Sequence, residues 1–171
     1  MMRESHGAGV CGPCVVRHHR GSTSDPGGVV VEERDDGCIF CRLLVSGDAR
    51  WVIKERDAVA FLPLPDSALA PGHTLVVPRE HCIGVLDASR DALLATSLLT
   101  QRVARAMTRA LNATGVVVLN ASGPHSGQSV DHLHFHVVPC WPDDGAVFWP
   151  GDRSTHAPID DVHAVLARAL N

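Results

Sequence analysis

Gly127-Gln128-Ser129-Val130-Asp131-His132-Leu133-His134-Phe135-His136-Val137-Val138-Pro139 is the stretch on which the reading of this chain turns. Histidine stands at every second position from 132 to 136, interleaved with Leu133, Phe135 and Val137. Successive side chains of an extended strand point to opposite faces. A strand over Val130 to Val138 therefore presents His132, His134 and His136 together and sends the apolar chains to a core. An ordinary edge strand with surface histidines would not have so cleanly apolar an opposite face. Three neighbouring imidazoles are electrostatically awkward unless some stay neutral or bind something. Two chemistries fit. The three rings can chelate one catalytic metal ion, or the middle one can be a nucleophile that its neighbours orient and charge-balance.

The segment just upstream, Ser122-Gly123-Pro124-His125-Ser126-Gly127-Gln128-Ser129, favours the nucleophile. It is a glycine-punctuated turn, and such a turn exposes backbone N–H groups that can hold phosphate oxygens beside His134. Glycine alone says little, because turns use it anyway. Joined to the histidine strand, it outlines an attacking nitrogen facing a phosphate cradle.

Working outward, strands are expected at Arg50 to Glu55, Ala58 to Leu62 and His73 to Val77, with a proline-rich loop from Pro63 to Gly72. A short helix is expected over Phe40 to Val45, ending at Ser46-Gly47. The longest helix should run from Ser89 to Leu111, capped by Asp87 or Ser89, with Leu94, Leu98, Val103, Met107 and Leu111 near helical spacing. Gly115 to Leu119 reads as a buried strand. A last short helix fits Asp160 to Leu170. There is no internal repeat. Antiparallel strands with a few helices make an α+β fold.

Length and composition agree. The chain has 171 residues, 45% of them apolar, 4% aromatic and no tyrosine, so Val, Leu and Ala must fill the core. The expected divisions are an N-terminal extension over 1–36, a folded domain over 37–142, and a C-terminal loop with a short helix over 143–171. Net charge is −4 with histidine neutral, and no Lys/Arg-rich block occurs, which argues against a nucleic-acid partner. A small phosphorylated ligand needs no basic surface, because backbone donors can bind it. No apolar run is long enough to cross a bilayer. Met1 to Gly9 has no hydrophobic signal core, so the expected location is cytoplasmic and no membrane partner is expected.

Four of the six cysteines form two Cys-x-x-Cys pairs, Cys11/Cys14 and Cys38/Cys41. In a cytoplasmic protein that spacing points to metal or redox chemistry more than to structural bridging. Cys11-Gly12-Pro13-Cys14 matches a redox dithiol in letters only, since such a motif works at a helix start after a strand. Cys38 and Cys41 have the spacing of a zinc knuckle, whose tetrahedral site needs two further ligands.

The run 127–139 resembles the signature of the histidine-triad (HIT) family. Cys38-Ile39-Phe40-Cys41, Ala60-Phe61-Leu62 and Pro71-Gly72-His73-Thr74-Leu75-Val76-Val77-Pro78-Arg79-Glu80-His81 agree with it in matching order. The resemblance covers roughly residues 37 to 139. It implies a HIT-like antiparallel sheet and a nucleotidyl hydrolase or transferase, an enzyme acting on a nucleotide or nucleotide conjugate. His134 matches the nucleophile, which attacks the α-phosphorus to form a nucleotidyl-histidine. His136 matches the histidine that helps hold the phosphate. Gln128 and Ser129, with Gly127 beside them, match the positions at the α-phosphate and leaving group. By likeness to a zinc-bearing bacterial branch, His81 and His132 complete a structural zinc site with Cys38 and Cys41. A homodimer is implied by the family alone.

The chain departs from the pattern at several places. Pro63 stands where relatives carry the acidic residue that binds ribose, and Asp66 on the following loop is the candidate substitute. Ala121 stands where relatives place Asn or Gln, with Asn120 one step away as the substrate-binding candidate. Asp131 takes a slot that relatives fill with an apolar or aromatic residue. Trp149, in Phe148-Trp149-Pro150-Gly151, matches a segment that one branch uses to line its dimer partner's active site. The altered ribose position also keeps open a non-catalytic nucleotide-binding protein that retained the fold.

Overall fold

The computed structural model describes residues 37–148 and 151–170. The extension 1–36, with Cys11 and Cys14, lies outside the described residues, as does Trp149. Helix α1 covers Ile39–Ser46 and α2 covers Arg90–Ala110. Strands β1 (Arg50–Lys54), β2 (Ala58–Leu62), β3 (Thr74–Pro78), β4 (Gly115–Leu119) and β5 (Phe135–Cys140) form one sheet, and α3 spans Val162–Ala169 near the C-terminus. The strand order is β1-β2-β3-β5-β4, and every neighbouring pair is antiparallel. This is the α+β arrangement expected.

Both faces of the central strands are covered, which explains their unbroken apolar letters. Ala58 and Ala60 of β2, Val76 of β3 and Val137 of β5 pack with Leu99, Val103 and Met107 of α2. Val59, Phe61, Leu75 and Val77 pack on the other side with Cys38, Phe40 and Cys41 of the α1 region. Burying each such valine or leucine contributes about 1.5–3 kcal/mol. Helix α1 stops where Gly47 takes φ 73° and returns its N–H to the Leu43 carbonyl. That left-handed cap favours glycine.

The buried face of α2 differs from the expected leucine stripe. Ala92, Thr96, Leu99, Thr100, Val103 and Met107 face the sheet, whereas Leu94 and Leu98 are 52% and 55% exposed. The true stripe carries two threonines, so its letters look polar. Thr96 turns its hydroxyl to the Ala92 carbonyl, 2.7 Å away, and presents its methyl to the core. Ser89 is the N-cap and accepts from Ala92 N–H, while Asp87 accepts from Ile83 and Gly84 N–H instead.

Two strands also differ from expectation. β4 is an edge strand, half-buried rather than buried, with Val118 48% exposed. β5 begins at Phe135, not Val130, so His132 and His134 precede the strand in a bent segment. The β3–β5 ladder pairs Thr74 with Val137, Leu75 with His136 and Val76 with Phe135. Its continuation would set Leu133 opposite Pro78, which has no N–H to give. Leu133 N–H instead reaches the Cys82 carbonyl at 2.7 Å, and His132 N–H turns back to Val130 at 2.8 Å. The three histidines therefore do not share one strand face.

Candidate active site and metal centre

The bend before β5 sends His132 one way and His134 another. Cys38 is the N-cap residue of α1, but its side chain makes no capping bond. Its sulfur lies 3.4 Å from His132 Nδ1. Cys41, one helical turn on, stands 3.6 Å from the same nitrogen and 3.3 Å from His81 Nδ1. The four ligand atoms of Cys38, Cys41, His81 and His132 lie within 4.8 Å of one another. Three residues are buried and His81 is half-buried.

This donor set suits zinc. Tetrahedral coordination by sulfur and nitrogen at usual zinc distances gives sulfur–nitrogen edges of about 3.6 Å, close to the 3.3–3.6 Å observed. His132 Nε2 donates to the Pro78 carbonyl at 3.0 Å, so in the neutral ring the lone pair sits on Nδ1, facing the sulfurs. Burial pushes the His132 ring down to about 4, against the Pro78 hydrogen bond, which favours the neutral ligand form. Zinc bound here would clamp α1 to the loop after β3 and to the bend before β5.

His134 is 3% exposed, and its Nδ1 lies 2.7 Å from the His132 carbonyl. A carbonyl only accepts, so Nδ1 carries the proton and the lone pair of the neutral ring is on Nε2. The edge-on Phe40 ring at 5.4 Å helps hold the imidazole, and Asn120 Nδ2 donates to the His134 carbonyl at 2.9 Å. Side chain and backbone are thus both restrained.

His136 belongs to a second chain of bonds. Leu69 N–H donates to His73 Nδ1 at 3.1 Å, which leaves His73 Nε2 as the protonated nitrogen. That nitrogen lies 2.9 Å from His136 Nδ1 and donates to it, so the proton of neutral His136 is on Nε2. Burial, with the neighbouring His134 and His73, pushes His136 down to about 4. Burial also lowers His73. His134 and His136 have ring centroids 5.0 Å apart. A lone-pair nitrogen thus sits beside an N–H donor, a pairing able to attack and to hold a phosphoryl group.

The loop beneath is braced by Gln128. Its Oε1 accepts from Gly123 N–H at 2.8 Å, and its Nε2 donates to the Ile83 and Val130 carbonyls at 2.6 and 2.9 Å. Gly123 and Gly127 take φ 89° and 87°, a region that favours glycine. Gly127 and Ser129 are exposed at the turn's edge. Asp66 is exposed in the 3-10 turn Pro65–Ser67, and no polar contact joins it to the histidines among the described residues. Asn120 reaches the backbone of the His134 segment and accepts from Ser122 Oγ at 2.8 Å.

Sequence reading gave no role to His73 or Phe40. The available signal for His73 was a histidine at the loop-to-strand junction after Pro71-Gly72. Nothing local in the letters ties it to His136, which is 63 residues away.

The family model described as "HIT domain" matches residues 46–142. An uncharacterized HIT-like protein of Saccharolobus solfataricus is 38% identical over 108 residues, 63% of this chain and 76% of that one. The adenosine 5'-monophosphoramidase of Schizosaccharomyces pombe is 32% identical over 102 residues, 60% of this chain and 73% of that one. Among solved structures, a zinc-bound histidine triad family protein from Mycobacterium smegmatis is similar, with a TM-score of 0.60 and 31% identity. The match covers 68% of this chain and 85% of that one.

Proposed function

This chain belongs to the HIT-domain family, and on that premise we propose that it is a nucleotidyl hydrolase or transferase acting at the α-phosphorus of a nucleotide conjugate. The carrying observation is the bond from His134 Nδ1 to the His132 carbonyl, which leaves Nε2 with the lone pair. In the proposed first step Nε2 attacks the α-phosphorus. The N–P bond forms, and the bond to the leaving group breaks with its electron pair going to the leaving atom, which takes its proton from solvent. His136 Nε2–H donates to a phosphoryl oxygen and stabilises the charge that develops there. In the second step water or a phosphorylated acceptor attacks phosphorus, the N–P bond breaks, and its electron pair returns to Nε2. The attacking oxygen releases its proton to solvent.

A phosphoramidate, a dinucleoside polyphosphate or a similar conjugate supplies such a phosphorus, and the fission-yeast relative named as a phosphoramidase supports this class. Gly127, Ser129, Asn120, Asp66 and Trp149 are the proposed substrate contacts, with Gln128 holding the loop that presents them. The proposed enzyme works as a homodimer in the cytoplasm. No helix among the described residues is long and apolar enough to cross a membrane. Zinc would supply cross-linking of the fold. A catalytic ion shared by all three triad histidines is disfavoured, because His132 Nδ1 faces the cysteines and His136 Nδ1 is engaged by His73.

The test is adduct trapping. Rapid mixing with adenylyl and guanylyl conjugates, followed by intact-mass analysis, should show a nucleotidyl adduct on the wild type and none on His134→Ala. An adduct that persists in the variant overturns the nucleophile. Tight nucleotide binding without adduct or turnover across the panel favours the non-catalytic reading.

A further inference from the structure

The loop from β3 to α2 leans on the turn that precedes the histidines, and glycine lets the two meet. A Cβ on Gly84 would lie 2.7 Å from both Cβ and Oγ of Ser122. Ser122 Oγ accepts from Val85 N–H at 3.1 Å, and Gln128 Nε2 donates to the Ile83 carbonyl at 2.6 Å. Leu86 Cδ1 lies 3.8 Å from where a Cβ on Gly123 would stand. Loop and turn thus form one platform. The Val130 carbonyl, which accepts from Gln128 Nε2 and from His132 N–H, ties it to the segment carrying His132 and His134.

What this platform presents outward is apolar. Ile83, Val85 and Leu86 are all exposed, Leu86 to 85%. The exposure is built in, because Asp87 accepts from the Ile83 and Gly84 N–H groups at 2.8 Å and the Gly84 carbonyl accepts from Ala88 N–H at 3.1 Å. Large apolar side chains held outward on a braced loop mark a contact surface. The polar groups around them are engaged within the protein: both Asp87 oxygens, the Ser122 hydroxyl by Asn120 and Val85, and both ends of the Gln128 amide. Neither 80–89 nor 120–131 contains a Lys or Arg, whereas Glu80, Asp87 and Asp131 lie in these segments. Arg79, just before the loop, donates to the Glu55 carbonyl at 2.8 Å. A polyphosphate leaving group would bring several negative charges to a surface with no cation of its own to receive them.

Resting on the nucleotidyl-transfer reading above, we infer that the leaving group is an apolar amine, joined to the α-phosphorus as an N-alkyl or N-aryl phosphoramidate, and that Val85 and Leu86 select it. The P–N bond breaks with its electron pair going to the amine nitrogen, which takes a proton from solvent. While the phosphoryl group sits at His134, the alkyl chain or aryl ring lies over Leu86 and leaves water. Leu86 is thus a specificity residue that takes no part in the chemical step.

Conjugates that differ only in the amine test this on the full-length chain. Adenosine and guanosine 5'-phosphoramidates carrying N-methyl or N-hexyl, whose nitrogens are of similar basicity, are compared with the matching dinucleoside tetraphosphates by kcat/KM. N-hexyl should exceed N-methyl about tenfold, as burial of roughly two CH2 groups gives, and should exceed the tetraphosphate by more. Leu86→Ser should bring the hexyl-to-methyl ratio near one with Tm unchanged, because the side chain is exposed. Leu86→Lys should shift preference toward the tetraphosphate. Titration of the two phosphoramidates against His134→Ala reads the same subsite without chemistry: N-hexyl should bind about tenfold tighter, and adding Leu86→Ser should erase the difference. A binding difference that tracks Leu86 with no turnover by the wild type upholds the apolar subsite and sinks the nucleophile. Turnover indifferent to amine length, or a ratio that neither Leu86 variant moves, overturns the subsite and leaves the nucleophile standing. Binding of neither phosphoramidate overturns both.

Discussion

His73 Nε2 lies 2.9 Å from His136 Nδ1, and the other nitrogen of His73 is held by the Leu69 N–H at 3.1 Å. A backbone amide can only donate, so the direction of every bond in this short chain follows from it. His73 donates to His136, and His136 keeps its own proton on Nε2. The orientation of the group proposed to hold phosphate is thus set from a loop whose residues need not touch the substrate.

His73 should therefore act as a positioning residue. His73→Ala is expected to lower kcat about tenfold, the worth of one neutral hydrogen bond, with a smaller change in KM. His73→Gln offers an amide N–H in its place and should recover part of the loss. Equal loss in the two variants, or a change confined to KM, contradicts the assignment.

The pH dependence of stability follows from His136. Its folded value is about 4, against 6.5 for the free group. The folded state therefore binds fewer protons than the unfolded state between those values, and stability falls as pH drops from 6.5 through 4. Urea midpoints measured across that window should fall more steeply for the wild type than for His136→Asn. Parallel slopes would show that His136 is not held neutral.

How far the letters reach is set by where each constraint originates. Ala58 to Leu62 was legible because turn residues bound it and its own side chains fill the core, whereas Gly115 to Leu119 was legible as a strand but not as a half-buried edge, because its place in the sheet depends on its neighbours. The start of β5 was not, because it depends on the missing N–H of Pro78 on another strand. The buried face of α2 was hidden behind Thr96 and Thr100, which are buried although their letters look polar. Cys38 and Cys41 were legible from their spacing and His81 and His132 from family likeness, and the four ligand atoms converge in space. The His73–His136 bond is a side-chain relation across two strands, and no local spacing announces it.

Gln128 makes a discriminating case. Its amide is engaged by Gly123, Ile83 and Val130, so its removal should loosen the loop before any substrate arrives. Gln128→Ala is expected to cost about 1–3 kcal/mol of stability. It should also speed hydrogen exchange across 123–130. Unchanged stability and exchange, with only catalysis impaired, would instead make Gln128 purely a substrate contact.

Metal removal separates the two roles assigned to neighbouring histidines. With Cys38, Cys41, His81 and His132 as ligands, wild-type protein should hold one zinc per chain, and Cys38→Ser/Cys41→Ser should hold none. Chelation should lower Tm, because the ion joins α1 to the bend before β5 and removing it frees both. His134→Ala, by contrast, should keep its zinc, since His134 is not among the four converging ligands, its Nδ1 is given to the His132 carbonyl and its Nε2 is the proposed nucleophile. Metal analysis of the two variants gives the answer directly. Full zinc in the double-cysteine variant together with loss in His134→Ala would move the ion onto the triad, and His134 could not then be the nucleophile.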